Sequence, residues 1–334
     1  MAKVTNNICF CCNRAITYSD SGPMRGGHYQ GVCWRCVDNR YVKYCARCNK
    51  WYVQADIHTT KGTASLCNDC HSKGYTLLKV RGENPTFTFY HMPRERSRLF
   101  LGIELETGVK RGSRKDVNWY LDQIPDFMWP KHDGSICNDT VGEDIEICSH
   151  PATFKWLKAN RKEWDGIFKL RKHGLLSWEA GSCGMHIHMS KAPFTKKHAC
   201  RFADFIYHNE AFSRFISGRR DTYWCSLDVD DEDFANNWED PCHEYWAVAP
   251  RRHTLEIRLF RGTLNPVTFW KNVEFIHALY HWTKSASRKN YESVPAFLEY
   301  VSKRSDCTNF HKWLKLNRTK VEELTHAKMC SLST

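Results

Sequence analysis

Four short stretches after residue 98 alternate between apolar and polar side chains. In each stretch, apolar residues occupy every second position, and mostly acidic, histidine or arginine residues lie between them. Because successive side chains of a β-strand point to opposite faces, this pattern predicts strands with one apolar and one polar face. The stretches are 101–106, 144–147, 185–189 and 254–260.

Longer stretches of the same region carry apolar residues at helical spacing. They lie near 114–124, 152–173, 195–217, 267–285 and 310–327. Short strands mixed with helices predict an α+β fold over residues 98–334, with an antiparallel sheet backed by helices. Residues 79–97 contain two prolines and a glycine among mixed charges, which predicts a linker.

The polar faces of the four stretches hold residue types that bind metals. Alternation places Glu104 and Glu106 on one face, about 7 Å apart, and Glu146, His186 and Glu256 occupy polar positions of the other stretches. A single strand of this kind is more often the wet face of a half-buried sheet. If all four lie in one sheet, however, the carboxylates converge, and such a density of like charge is stable only around cations. Carboxylate-rich sets with few nitrogens favour Mg²⁺ or Mn²⁺, the ions of phosphoryl transfer.

The first 70 residues hold nine of the 17 cysteines, eight of them in Cys-x-x-Cys pairs. A two-residue turn lets two thiolates converge on one tetrahedral zinc ion at about 2.3 Å, and two pairs complete a site. The pairs are Cys9/Cys12, Cys33/Cys36, Cys45/Cys48 and Cys67/Cys70, and Cys11 is the spare cysteine. Residues 1–78 are therefore predicted to be a small module that folds around two Zn²⁺ ions.

More than one assignment of these cysteines is open. Twenty residues separate the first two pairs and 18 separate the last two, and offsets of 34 to 36 residues between the halves indicate an internal repeat. This spacing favours two sequential sites. An interleaved, cross-braced pairing and a set of free, merely buried cysteines are the alternatives.

Composition narrows the class of protein. Hydrophobic residues make up 42% of the chain and aromatic residues 13%, enough for a core and too many for a disordered protein. No apolar run approaches the roughly 18 residues that span a bilayer, and the start lacks the apolar segment of a secretion signal. With so many cysteines in an unexported chain, we expect a cytoplasmic protein that has no membrane partner.

The formal net charge of +12 would suit a polyanionic partner such as nucleic acid or a nucleotide. Residues 1–96 contain 14 Lys or Arg and 6 Asp or Glu, a formal charge of +8. Two zinc ions held by eight thiolates would lower that charge to about +4. Nucleic acid therefore stays one candidate partner of the module, beside peptides and proteins.

Five motifs occur in a recognisable order. They are GIELE (102–106), DGS (133–135), GEDIEICSHP (142–151), CGMHIHMS (183–190) and TLEIRLFRGTL (254–264). This set resembles the amidoligase family of glutamine synthetase-like carboxylate–amine ligases, over about residues 100–265. The resemblance implies an ATP-dependent, ADP-forming ligase on an antiparallel sheet that curves around a metal-lined funnel. A substrate carboxylate, carried by a small molecule or a peptide, would form an acyl phosphate, and an amine would then displace phosphate to give an amide.

The resemblance also implies roles for single residues. The ligands of catalytic Mg²⁺ or Mn²⁺ would be Glu104, Glu106, Glu146, His186 and Glu256. Arg258 would face the γ-phosphate of ATP. Further candidates for contact with the nucleotide or substrate are His188, Asp133, Arg261, Arg219 and Arg220.

Departures from the family pattern leave alternatives open. Glu143 could share or replace the role of Glu146, and residues 249–252 read Ala-Pro-Arg-Arg where the family often has Asn. A scaffold or inhibitor that keeps a ligase-like fold and binds protein or nucleic acid is a second hypothesis. A zinc hydrolase using His186 and His188 is a third, although it would want further histidines on neighbouring strands. The sequence contains no Gly-rich Walker loop, so it does not support a P-loop kinase.

Overall fold

The computed structural model describes two units, divided between Gly82 and Glu83. In the second unit it describes residues 85–110, 125–131, 141–181, 183–219, 223–239, 241, 243 and 245–326. In the first it describes residues 9, 12, 14, 36, 42–45, 50–53, 57–59 and 65–68. The predicted helix near 114–124 lies outside the described residues.

The described part of the first unit contains two small antiparallel hairpins. Strand β1 (Val42–Cys45) pairs with β2 (Lys50–Val53), and β3 (Ile57–Thr59) pairs with β4 (Ser65–Cys67). Strands β1 and β4 contact each other. Cys45 and Cys67 therefore end two neighbouring strands, and both side chains are buried.

The second unit is built on an antiparallel sheet whose strands are ordered β11-β12-β10-β5-β7-β6. Strands β8 and β9 extend it by pairing with the two ends of β5, on opposite edges. The strands are β5 (Phe100–Lys110), β6 (Met128–Lys131), β7 (Val141–Ser149), β8 (Ala152–Thr153), β9 (Leu175–Leu176), β10 (Gly184–Ser190), β11 (Val248–Pro250) and β12 (Thr254–Arg261). All four alternating stretches thus lie in one sheet, on adjacent strands.

One face of this sheet is apolar because alternation directs the aliphatic side chains to it. Leu101, Ile103 and Leu105 of β5 are completely buried. The same holds for Ile145 and Ile147 of β7. Each fully buried aliphatic side chain contributes about 1.5–3 kcal/mol to folding, so this face fixes which way the polar residues point.

Strand β12 breaks the alternation with a bulge. Ile187 of β10 pairs with Ile257 of β12, but Met185, two residues earlier, pairs with Phe260, three residues later. The extra residue turns Phe260 to the apolar face, where its ring lies 6.1 Å from that of Phe275. Strict alternation would have placed Phe260 beside Glu256 on the polar face.

Helices pack on the apolar face. The described α-helices are α1 (Phe154–Ala159), α2 (Asp165–Lys169), α3 (Lys196–His208), α4 (Glu210–Ser217), α5 (Asp231–Asn237), α6 (Pro266–Ser285), α7 (Val294–Ser302), α8 (Thr308–Leu316) and α9 (Arg318–Thr325). Helix α6 is central: Asn272 donates a hydrogen bond to the sulfur of Met185 on β10. The Asn265 side chain accepts from Thr268 N and caps the start of α6.

The prediction of an α+β fold with an antiparallel sheet and helices is confirmed. Within it, the helical pattern at 152–173 forms two short α-helices and 3₁₀ turns, and the pattern at 310–327 is divided after Leu316. Helices α5 and α7 have no counterpart in the predicted set.

Residues 85–97, which fall in the predicted linker, belong to the second unit and pack against its strand β8 and helix α1. Tyr90 pairs with Ala152 and accepts a hydrogen bond from Thr153 N. Its ring lies 4.8 Å from that of Trp156 and 5.3 Å from that of Phe127. Proline and glycine content suggested a linker, whereas the aromatic residues anchor the segment to the fold.

Candidate metal and catalytic site

The polar face of the sheet carries the candidate site, and strand register sets its layout. His186 of β10 lies directly across from Glu104 of β5, and His188 lies directly across from Glu256 of β12. Directly opposite residues share a face, with Cβ atoms about 4.5–5.5 Å apart. Three strands therefore bring two imidazoles and two carboxylates together.

His186 lies between three carboxylates. Its Nδ1 is 3.6 Å from Glu256 Oε1 and 3.8 Å from Glu104 Oε2, and its Nε2 is 3.5 Å from Glu106 Oε1. The residue is only 3% exposed, and Nε2 makes no hydrogen bond. A buried ring nitrogen without a hydrogen bond, close to carboxylate oxygens, suits a site that receives a cation.

His188 stands at the more open side of the cluster. Its Nε2 is 3.1 Å from Glu104 Oε2 and 4.0 Å from Glu256 Oε1, and its Nδ1 is 3.1 Å from Thr254 Oγ1. Burial alone would lower the pKa of His188, but the charges of Glu104 and Glu256 raise it to about 9. The two carboxylates thus favour the protonated form of His188, which would have to give up this proton to bind a metal ion.

Neighbouring positive groups favour the ionised forms of Glu104 and Glu256. Burial would raise the pKa of Glu104, but His188 and His186 hold it well below the usual range. Burial likewise opposes ionisation of Glu256, whose pKa is lowered by both histidines and by two arginines. The cluster therefore holds charged carboxylates in a mostly buried position.

Two guanidinium groups hold Glu256. Arg251 Nε donates to Oε2 at 2.6 Å, and Arg258 Nη1 donates to Oε1 at 2.7 Å. Arg258 was a candidate from the sequence, and its side chain is 15% exposed. Arg251 was noted only as a departure from the family pattern. Its contact depends on the turn between β11 and β12, which the sequence did not specify.

Glu106 and Glu146 extend the site toward β7 and β6. They lie directly opposite each other, and both are largely buried. Glu106 accepts a hydrogen bond from Gly184 N, and Lys131 Nζ is 3.0 Å from Glu146 Oε2. Burial opposes the charge of Lys131, yet Glu146 raises the pKa of this ammonium to about 12. Lys131 was missed because only the β6–β7 register brings it to this face.

Cys148 and Trp129 also belong to this face. Cys148 lies directly across from both Glu104 and Trp129. Its Sγ lies within 4.8 Å of an oxygen of Glu104 and of Glu146, a grouping that could hold a metal ion. Burial, followed by the two carboxylates, raises the pKa of the thiol. The sequence could have predicted the position of Cys148, because it lies two residues after Glu146 and an alternating strand places both side chains on the same face.

Arg219 reaches the site from the end of α4. Its Nη1 donates to the backbone oxygen of Arg258 at 3.2 Å, and the residue is 5% exposed. A Cβ at Gly184 would lie 3.1 Å from this Nη1 and 2.8 Å from His186 Nε2. Glycine at this position thus permits Arg219, His186 and Glu106 to approach one another closely.

Among the described residues, the side-chain contacts of Arg261 are with Trp178 and Gly218 and not with the carboxylates. Its guanidinium carbon is 5.8 Å from the centre of the Trp178 ring. Gly218, whose φ is +66°, lies against its side chain. Asp133 and Arg220 lie outside the described residues, and the side chain of Glu143 does as well.

Several donor atoms on the polar face lie close enough together to share one metal ion. Ligand atoms that each lie about 2.1 Å from Mg²⁺ cannot be more than about 4.2 Å apart. The contacts of His186 and His188 with the carboxylates, at 3.1–4.0 Å, all satisfy this limit. A second grouping that could hold an ion joins Glu104, His188 and Glu256.

The first unit contains a separate group of thiols. The Sγ atoms of Cys9, Cys12 and Cys36 lie within 4.8 Å of one another, and those of Cys9 and Cys36 are 3.8 Å apart. Thiolates bound at about 2.3 Å to a tetrahedral ion are separated by about 3.8 Å. This cluster could bind a metal ion, and it joins the first two pairs, as a sequential arrangement requires. Cys33, Cys48 and Cys70 lie outside the described residues.

No family model matches the chain, and no curated protein matches it. Among the described residues, none of the helices has both the length and the apolar character needed to cross a membrane.

Proposed function

We propose that the chain is an ATP-dependent, ADP-forming carboxylate–amine ligase of the amidoligase type, with a glutamine synthetase-like second unit. The observation that carries this proposal is the position of His186 among Glu104, Glu106 and Glu256, contributed by three adjacent strands. Buried carboxylates around an imidazole, with arginines at their edge, are what a metal–triphosphate complex requires.

In this proposal the polar face holds Mg²⁺ or Mn²⁺ through the carboxylates and His186. The ligands are Glu104, Glu106, Glu146, His186 and Glu256. When bound, the metal would neutralise phosphate charge during transfer. Arg258 Nη1 donates to Glu256 Oε1, so if Glu256 bound the metal this guanidinium would become available to the phosphates.

The reaction would proceed in two steps. An oxygen of the substrate carboxylate attacks the γ-phosphorus and ADP leaves, which gives an acyl phosphate. The amine nitrogen then attacks the acyl carbon, phosphate leaves, and the nitrogen loses a proton as the amide forms. Arg258 and Arg219 would stabilise charge on the transferring phosphoryl group, and His188, Arg261, Asp133 and Arg220 are further candidates for contact with nucleotide or substrate.

The first unit would bind two Zn²⁺ ions and recruit the substrate or a partner. The cluster of Cys9, Cys12 and Cys36 supports a metal-stabilised module. A peptide or protein carrying the carboxylate or the amine is the partner we favour. Nucleic acid is the alternative partner.

The test is ADP release from ATP with Mg²⁺ or Mn²⁺, using a pool of amino acids and peptides as carboxylates and hydroxylamine as the amine. Hydroxamate formation would reveal an acyl phosphate. We expect Glu104→Gln to abolish both products and Glu323→Gln, an exposed carboxylate on α9, to leave them unchanged. Wild-type protein that binds ATP but forms neither product would indicate that a macromolecular substrate is missing from the assay. Absence of ATP binding as well would favour a scaffold. Zinc-dependent hydrolysis without ATP would favour a hydrolase.

A further inference from the structure

Three aromatic residues form a cluster beside the carboxylate site, here called the aromatic platform: Tyr223, Trp224 and Tyr245. Tyr223 and Tyr245 are 69% and 40% exposed, among the most exposed large hydrophobic residues described. Their rings are stacked, with centroids 6.0 Å apart and an interplanar angle of 27°. Trp224 packs edge-on against both, at 4.8 and 4.9 Å.

The platform is attached to the sheet by backbone hydrogen bonds. Ser226 N donates to Tyr245 O at 2.7 Å, and Ala247 N donates to Ser226 O at 2.8 Å. Arg258 N of β12 donates to Ala247 O at 2.9 Å. The chain segments that present the two tyrosines are therefore tied to the strand that carries Glu256 and Arg258.

Arg258 connects the platform to the carboxylates. Its guanidinium carbon lies 5.9 Å from the centre of the Tyr245 ring, and its Nε donates to Trp224 O at 3.4 Å. The same guanidinium donates to Glu256 through Nη1. The exposed rings and the anionic cluster are thus separated by the width of one arginine head group.

This juxtaposition has the two parts that a nucleotide needs. Aromatic side chains bind bases by stacking, largely regardless of base identity. A guanidinium next to a ring contributes to such a site and also binds phosphate. The platform offers exposed rings for stacking on one side of Arg258, and the carboxylate cluster lies on the other side.

We propose that the aromatic platform binds the adenine base of ATP and that Arg258 lies between the base and the phosphates. This inference rests on the proposed function, because it assumes that the triphosphate binds at the carboxylate cluster. It adds a binding site for the base, which is the group that distinguishes ATP from an inorganic polyphosphate.

The experiment compares the dissociation constants of ATP and inorganic tripolyphosphate, each with Mn²⁺, for the zinc-loaded full chain. Stacking typically contributes enough that Tyr245→Ala or Tyr223→Ala should weaken ATP binding about tenfold. Binding of tripolyphosphate, which has no base, should change less than about twofold. Tyr245→Phe, which keeps the ring, and Phe89→Ala, which removes an exposed aromatic on the segment before β5, should both leave ATP binding unchanged.

The outcomes separate this inference from the proposed function. Unchanged ATP affinity in both alanine variants would overturn the platform as the base site while leaving the ligase proposal intact. Equal weakening of ATP and tripolyphosphate would also overturn it, because the loss would then lie in the phosphate site. Failure of the wild-type protein to bind either ligand would overturn both proposals.

Discussion

Glu106 and Glu146 lie directly opposite each other on β5 and β7, and both carboxylates are largely buried. Like charges in a cross-strand pair are destabilising. The ammonium of Lys131, which pairs with Glu146, offsets part of this repulsion. A bound divalent cation would offset more, so the site should respond to metal in stability as well as in activity.

We expect Mn²⁺ to raise the unfolding temperature of the second unit. At a concentration 100-fold above its dissociation constant, a ligand that binds only the native state stabilises it by about 2.7 kcal/mol. Glu106→Gln should remove most of this shift. The metal-free protein should not be destabilised, because the mutation relieves the repulsion with Glu146 and a glutamine oxygen can still accept the hydrogen bond from Gly184 N. Calorimetry of zinc-loaded protein with and without Mn²⁺ measures both effects, and an unchanged shift in Glu106→Gln would exclude Glu106 as a ligand.

Gly184→Ala should impair the site without unfolding the protein. The new Cβ would lie 2.8 Å from His186 Nε2, so the imidazole or Arg219 must move. We expect at least a tenfold loss of Mn²⁺ affinity, measured by titration calorimetry. Gly166→Ala in α2 is the matched control, because its Cβ would meet nothing within 4 Å. That variant should keep its metal affinity and gain about 0.4–1 kcal/mol of stability.

Glu274 should be the main polar contributor to the packing of α8 and α1 on α6. Its buried carboxylate accepts hydrogen bonds from Asn309 N, Asn309 Nδ2 and Phe310 N at the start of α8, and it pairs with Lys158. Glu274→Ala leaves these donors and a half-buried cation unpaired, so urea unfolding should show a loss of about 3–5 kcal/mol.

The control for this variant is Glu299→Ala. Glu299 forms an exposed ion pair with Lys303 one helical turn away, and water screens such pairs so that they contribute little to stability. Similar losses in the two variants would show that the buried network contributes nothing special.

His198 should make the second unit less stable in mild acid. It lies between α3 and α6, with Nε2 3.1 Å from both Tyr280 O and Thr283 Oγ1. Burial, with Lys284, Arg201 and His281 nearby, lowers its pKa from about 6.5 to about 4.

Because the unfolded chain binds this proton first, the contribution of neutral His198 is complete above pH 6.5 and is lost as the pH falls toward 4. The total is up to about 3 kcal/mol, with a slope of up to about 1.4 kcal/mol per pH unit. Unfolding free energies measured between pH 4 and 7 should show a smaller slope in His198→Gln. Equal slopes in mutant and wild type would contradict this assignment.

The amount of bound zinc tests whether the cysteines of the first unit form two metal sites. Cys12→Ser should reduce bound zinc from two ions to one, whereas Cys225→Ser, a buried cysteine of the second unit, should leave two. After chelation, proteolysis should begin before residue 75, because zinc binding supplies the folding energy of such modules. Mass spectrometry of the fragments measures this, and cleavage that starts elsewhere would contradict a zinc-dependent module.

The sequence by itself determined which residues share a face. Alternation separated Glu104 and Glu106 from the buried Leu105, and this separation holds because one face of the sheet must be apolar. The α+β class and the helix α6 followed from periodicity in the same way. These features are local, since each depends on residues within one element.

Tertiary structure decided which strands are neighbours and what reaches them from elsewhere. The order that places β10 between β5 and β12 brings His186 to three carboxylates, and neither Lys131 nor Arg251 carries a local signal for its ion pair. The bulge in β12 turned Phe260 into the core because Phe275 and Met185 offer it contacts there. Strand order, these ion pairs and the bulge depend on packing between segments that are distant in sequence. The periodicity of a single stretch carries no information about that packing.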